Sequence, residues 1–309
     1  PMAFIVSALH RLSYHLQSAA LGSVIGILRG VGPKRASDAG GWLMRHVGMK
    51  LPATRIADQN LQQALPDLAA DARQQIIRDV WTNLGRNVTE LPHLASFARS
   101  KVGPGWEIEG EEHIVALQAQ GAQALFFSGH LGNWELILPI ATSLGMPVAG
   151  FYRASSNLAV ESATQKMRQK ALGSTGTMFP KGPKGARQAL THLQNGGSLG
   201  FLVDQKMNDG LAIPFLGRDA MTAPAVAQLA LRFNLPIIPV YIVRLGEGRF
   251  RMVCEAPLQA VRTGDRHADI RSICVAMNGT LERWVRERPG AWLWLHRRWP
   301  KEPLALPAV

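Results

Sequence analysis

Residues 122–152, AQALFFSGHLGNWELILPIATSLGMPVAGFY, decide the reading of the fold. An apolar run ends at Phe127, Ser128-Gly129 makes a turn, and Asn133 is a good N-cap for a helix over 133–144, with Gly145 as its stop. A second apolar run then closes at Tyr152. Strand, turn, helix and strand in about thirty residues form the unit of a sheet covered by helices. The same alternation continues outward: GTMF (176–179), SLGFLV (198–203), PIIPVYIV (236–243) and RFRMVC (249–254) have strand character, and segments near 159–171, 183–195, 223–234 and 267–287 have helical spacing. Before Gly103 the apolar residues instead recur three and four apart, punctuated by Pro66 and Pro92. The expected fold is α/β, a mainly parallel or mixed sheet covered by helices with an N-terminal helical region. The expected divisions are an amphipathic helix over 1–30, a helical region over 31–102 and an α/β domain over 103–309.

The chain has 309 residues, 47% of them hydrophobic, which is enough for a packed core. Lysine and arginine total 34 against 22 acidic residues, a net charge of +12 that favours an anionic partner: nucleic acid, acidic lipid or an acidic carrier protein. Cys254 and Cys274 fit neither a disulfide framework nor a zinc spacing. Neither apolar run in the first thirty residues reaches the roughly 20 needed to span a bilayer. Leu9, Leu12, Leu16, Ala19, Val24 and Ile27 fall near one helical repeat, as in a helix lying in a membrane interface or packed on its own domain.

His130 and Glu135 stand five apart, about 140° around a continuous helix, and could not share its face. A strand-turn-helix geometry leaves His130 in the turn and Glu135 in the first helical turn, able to fold back on the ring. A carboxylate on one imidazole nitrogen raises the basicity of the other, making a general base for a hydroxyl. Spacing alone allows equally a satisfied strand-end histidine and a glutamate drawn to a helix N-terminus. Arg153, after a strand end, can grip phosphate or carboxylate or be a plain surface arginine. Asp204 and Gln205 end the run SLGFLV, where α/β enzymes place ligand-contacting groups, though a turn-capping Asp is the simpler alternative. GGSLG (196–200) matches a nucleophile-elbow pattern but precedes a strand instead of following one, so a serine hydrolase is excluded. No nucleotide loop, zinc-protease motif or nucleic-acid-binding pattern occurs.

SGHLGNWEL resembles the HxxxxD/E signature of glycerolipid acyltransferases, and its GNWE version is similar to that of the bacterial late acyltransferases of lipid A biosynthesis. NLQQALPD (60–67), FYRASSNLAVE (151–161), FLVDQ (201–205), PFLGRDAMTAPAVAQLA (214–230) and WLWLHRRWP (292–300) resemble further blocks of that family, in its order, with Ala64-Leu65 in place of the usual aromatic. The resemblance implies an O-acyltransferase in which His130 is the base and Glu135 orients it. Arg153, Asp204, Gln205 and Asn133 would contact or adjoin substrate. The oxyanion would fall to backbone N–H groups of the turn and Arg153. It implies no metal or cofactor and no covalent acyl-enzyme. The donor would be acyl carrier protein or acyl-CoA, and the acceptor an anionic glycolipid, a lipid A precursor or another glycolipid or phospholipid. The chain is expected to act as a monomer at the cytoplasmic face of the bacterial inner membrane, without nucleic acid. The charge alone would also fit a non-catalytic basic module. WLWLHRRWP reads either as a membrane-surface patch, with Trp292, Trp294 and Trp299 among headgroups and Arg297 and Arg298 on phosphates, or as a segment closing the core.

Overall fold

The computed structural model describes residues 2–246 and 248–300, without the side chains of 2–13. Four helices come first: α1 (Met2–Val31), α2 (Pro33–Val47), α3 (Ala53–Ala64) and α4 (Ala70–Glu90). Strands and helices then alternate through β1 (Gly105–Glu109), α5 (Glu111–Ala119), β2 (Leu125–Ser128), α6 (Ile137–Ser143), β3 (Val148–Tyr152), α7 (Leu158–Leu172), β4 (Thr177–Pro180), α8 (Pro183–Gln194) and β5 (Ser198–Leu202). A hairpin of β6 (Leu211–Phe215) and β7 (Arg218–Thr222) interrupts the alternation before α9 (Ala225–Phe233), β8 (Ile237–Gly246), β9 (Arg249–Cys254) and α10 (Arg266–Glu287). The main sheet runs β1-β9-β8-β2-β5-β3-β4, parallel throughout except for the β8–β9 pair. The fold is thus the expected α/β one.

Local chemistry sets several boundaries. Asn157 caps α7 by accepting from the amides of Ala159 and Val160, and Asp265 caps α10 through His267 and Ala268. Asn133 does not cap: a 3-10 turn over Trp134–Leu136 precedes α6, and the asparagine side chain bonds elsewhere. Alternate residues of the strands feed two cores, one on each sheet face. Phe127, Leu199, Ala227 and Trp284 belong to the first, and Phe126, Ile140, Ile238 and Phe250 to the second.

In α1, the side chains of Leu9 and Leu12 lie outside the described residues. Beyond them, Leu16, Val24 and Ile27 are exposed, while Asn157 donates to Gln17 and the Leu28 carbonyl meets His93 Nε2 at 3.0 Å. The helix therefore packs on its own domain along one side and leaves apolar side chains uncovered. Among the described residues, no helix is long and apolar enough to cross a membrane.

Candidate active site

Parallel pairing brings the carboxyl ends of β2, β5, β3 and β4 to one edge of the sheet, the usual ligand edge of such folds. His130 follows β2, Asp204 and Gln205 follow β5, Arg153 follows β3 and Lys181 follows β4. Because β2 lies against β5, Phe127 opposite Phe201, His130 meets a residue 74 positions away. Its Nδ1 is 2.8 Å from Asp204 Oδ1, its backbone N–H donates to Oδ2 at 2.8 Å, and Trp292 Nε1 donates to Oδ2 at 2.7 Å.

Asp204 is fully buried. Burial alone would push its carboxyl up, but the charge and hydrogen bonds of His130, with His296 adding to them, hold it well below the usual carboxylate range. An ionised carboxylate can only accept, so Nδ1 carries a hydrogen, and in the neutral ring the lone pair is on Nε2. Gln205 Nε2 lies 3.5 Å from that nitrogen, and Trp134 packs edge-on against the ring at 5.0 Å.

Glu135 does not touch this ring. Its carboxylate takes Arg168 of α7 in a two-pronged pair, Nε to Oε2 at 2.8 Å and Nη2 to Oε1 at 2.5 Å, with both side chains largely buried. A planar, permanently charged guanidinium satisfies both carboxylate oxygens, whereas an imidazole already bonded at Nδ1 has only Nε2 left to offer. The pairing expected from the five-residue spacing is thus replaced by two: His130 with Asp204, and Glu135 with Arg168.

Other expectations change too. Asn133 is wholly buried and does not line the cavity; its Nδ2 donates to Glu90 Oε2 at 2.7 Å. Glu90 also accepts from Ser37 and pairs with Arg244, while Asn83 and Asn87 donate to the Gly132 carbonyl. This network fastens the turn to α2 and α4. The amides of residues 130, 131 and 132 donate to Asp204, Gly129 and Ala291, so these turn N–H groups are not free for an oxyanion. Of the two readings of the C-terminal segment, closing the core is the one the structure shows: Trp292, Trp294, Trp299 and Arg298 are buried while Arg297 is exposed, and Arg298 donates to Met221 and Thr222, its pKa pushed down to about 10 by burial. Trp292, which the sequence left between the two readings, donates to Asp204. The only signal for that role in the sequence is that a buried indole N–H needs an acceptor.

A cavity of about 990 Å³ opens beside the ring. His130, Glu135, Arg153, Arg168, Lys181 and Gln205 are among its lining residues, with Leu94, Phe126, Ile137, Leu138 and Leu172 making an apolar part. An imidazole whose Nε2 meets only the Gln205 amide at 3.5 Å, a cation fixed by Glu135 and room for a hydrocarbon chain converge on one edge of the sheet, which suits the transfer of an acyl group to a hydroxyl.

Comparison with known proteins agrees. The family model described as bacterial lipid A biosynthesis acyltransferase matches residues 8–301. A lipid A biosynthesis palmitoleoyltransferase of Escherichia coli K12 is 22% identical over 253 residues, 81% of this chain and 79% of that protein. The lauroyltransferase of the same strain is 22% identical over 259 residues, covering 82% and 81%. A Haemophilus influenzae lipid A biosynthesis acyltransferase is 22% identical over 268 residues, covering 85% and 82%. The match runs through every block that builds the site, and the chain belongs to the bacterial lipid A biosynthesis acyltransferase family and is an acyltransferase.

Proposed function

We propose that this protein transfers a fatty acyl chain from an acyl thioester to a hydroxyl of a lipid A precursor, with His130 as general base and Asp204 as its brace. The single observation that carries this reading is the Asp204 contact at Nδ1, which leaves Nε2 turned to the cavity as an acceptor. The acceptor O–H gives its proton to Nε2 as its oxygen attacks the thioester carbonyl. The tetrahedral intermediate collapses by breaking the C–S bond, and the departing sulfur takes the proton from the imidazolium. The negative charge on the carbonyl oxygen falls to side-chain cations, since the turn amides of 130–132 are engaged. Arg168, held rigid by Glu135, is the better preorganised donor, and Arg153 at the mouth is the second.

Direct transfer, without a covalent acyl-enzyme, is supported by the state of the cysteines. Both are buried, and burial pushes Cys254 up to about 12 and Cys274 up to about 11, away from any reactive thiolate. The donor is acyl carrier protein or acyl-CoA. The exposed apolar residues Leu16, Val24 and Ile27 of α1, with Trp42 and Leu43 of α2, support peripheral binding at the cytoplasmic face of the inner membrane.

The test is acyl transfer to the glycolipid followed by mass spectrometry. His130→Ala should leave thioester and acceptor unconsumed while the protein stays folded; a variant with the normal rate removes the mechanism. Membrane binding predicts release by detergent more readily than by salt, and complete release by salt would overturn it.

A further inference from the structure

A hydroxyl stands in the cavity beside His130 without a good partner, that of Ser128. The residue ends β2, two positions before His130, and carries the one aliphatic hydroxyl among the described residues that line the cavity. Side chains alternate along a strand: Leu125 and Phe127 enter one core and Phe126 the other, so Ser128 lies on the Phe126 face, which α6 covers. Gly200, in register with Phe126 on β5, lets α6 come down to the sheet, since a Cβ there would meet Leu138 Cδ2 at 3.6 Å. Leu202, in register with Ser128, and Val240 of β8 line the cavity as well. Ser128 is thus a single hydroxyl on the floor of the apolar part, at the strand end that leads to the imidazole.

Its present hydrogen bond is a poor one. Oγ reaches the carbonyl of the next residue, Gly129, at 3.3 Å, beyond the usual range for a hydroxyl donor, and that carbonyl already accepts the Leu131 N–H at 2.8 Å. Among the described residues Oγ has no other partner. The backbone beneath it is fixed, because Val203 N donates to the Ser128 carbonyl at 2.9 Å. A hydroxyl hydrogen rotates about the C–O bond, so this donor can turn to an acceptor in the cavity with no movement of the chain.

Resting on the acyl-transfer reading, we infer that Ser128 is a further catalytic residue, whose hydroxyl donates to the carbonyl oxygen of the acyl thioester as that oxygen becomes negative. A fatty chain lying in the apolar part has its carbonyl at the end facing the base, which is where β2 presents this hydroxyl. As the acceptor oxygen bonds to the carbonyl carbon, the π electron pair moves onto the carbonyl oxygen and the acceptor's proton goes to His130 Nε2. Ser128 gives up no proton; its O–H bond stays intact and its hydrogen bond tightens as the charge builds. On collapse the electron pair returns, the C–S bond breaks, and the sulfur leaves with the imidazolium proton. With the amides of residues 130, 131 and 132 engaged, the oxyanion gains a donor rooted in the sheet in addition to Arg168 and Arg153.

The experiment measures thioester consumption and acylated glycolipid for the wild type, H130A, S128A and S128C, with the thermal midpoint of each. S128A should lose about a hundred-fold in kcat, the size of one preorganised oxyanion donor, with the KM of both substrates and the thermal midpoint unchanged. An unchanged kcat overturns the inference, as does a loss that lies in KM alone. Should S128A lower the midpoint, S128C decides, since it keeps the shape and replaces the hydroxyl with a weak donor: a comparable loss of kcat sustains the inference, and a full kcat removes it. The intact mass of the wild type mixed with thioester alone should not change; an acyl group on Ser128 would make it a nucleophile and overturn its role as donor. Transfer by H130A at the normal rate sinks the acyl-transfer reading and this inference with it, whereas an inactive H130A beside a fully active S128A sinks this inference alone.

Discussion

Two carboxylates, Asp204 and Glu135, stand near the proposed base, and each has chosen a partner by what the other groups can offer. The Asp204 oxygens take three donors from one turn and one tryptophan, which fixes the tautomer of His130. Asp204→Asn would present an amide able to favour the other tautomer, and kcat should fall by about three to four orders of magnitude with the fold retained, as in other His-carboxylate pairs. Glu135 acts through Arg168, so Glu135→Gln and Arg168→Lys should each lower kcat/KM by about ten- to hundred-fold, and the double variant should be no worse than the poorer single. A double-mutant cycle measures this, and losses that multiply would separate the two residues. In the sequence, His130 and both carboxylates were legible as site residues, but not who holds whom. The five-residue spacing drew Glu135 toward His130, whereas the carboxylate that meets its Nδ1 follows the neighbouring strand, and the order of strands in a sheet is set by packing far along the chain.

At the level of elements, the C-terminal segment works as a strap across the turn that carries His130. Leu293 N donates to the His130 carbonyl, Gly132 N to the Ala291 carbonyl, and Asn60 ties down the carbonyls of Trp294 and His296. Trp292→Phe keeps an aromatic against Phe215 and Trp294 but deletes the N–H to Asp204. The carboxylate, with one donor fewer, should then hold the protonated ring more tightly, and the acid limb of the kcat/KM profile should move to higher pH. A tryptophan that merely fills space would lower the thermal midpoint and leave the profile in place. This strap was hidden because tryptophans beside arginines have the same composition in a membrane patch and in a core. The β6–β7 hairpin was also missed: its turn uses Leu216 and Gly217 at φ of 52° and 76°, and leucine carries no signal for that conformation. Its amide donates to Glu282 from α10, a tertiary contact that local pattern cannot announce. By contrast, strands β3, β4, β5, β8 and β9 were readable, because their apolar runs are short and bounded by turn residues.

Across the whole molecule, buried titratable groups set a window of pH in which the fold is most stable. Burial lowers His93, at the junction of α1 with the segment after α4, and His296, beneath the active site, from their ordinary value of 6.5. A lowered folded pKa means that the unfolded chain binds more protons as pH falls below 6.5, so the stabilisation from neutral imidazoles is complete above that value and is lost on acidification. Asp204, also depressed, adds a further loss below the ordinary carboxylate range. The cysteines act in the opposite sense. Folded values near 12 for Cys254 and 11 for Cys274, against an ordinary 9.0, mean that the stability of the neutral thiols is present below 9.0 and drains away as pH rises through the folded values. The thermal midpoint should therefore be flat between about pH 7 and 9 and decline on both sides. Cys254→Ala with Cys274→Ala lowers the plateau by opening small cavities but should flatten the alkaline decline, and His296→Asn should shallow the acid one. Calorimetry across pH 5 to 11 reads both slopes. An alkaline slope unchanged in the cysteine variant would show that other groups, not these thiols, carry the loss.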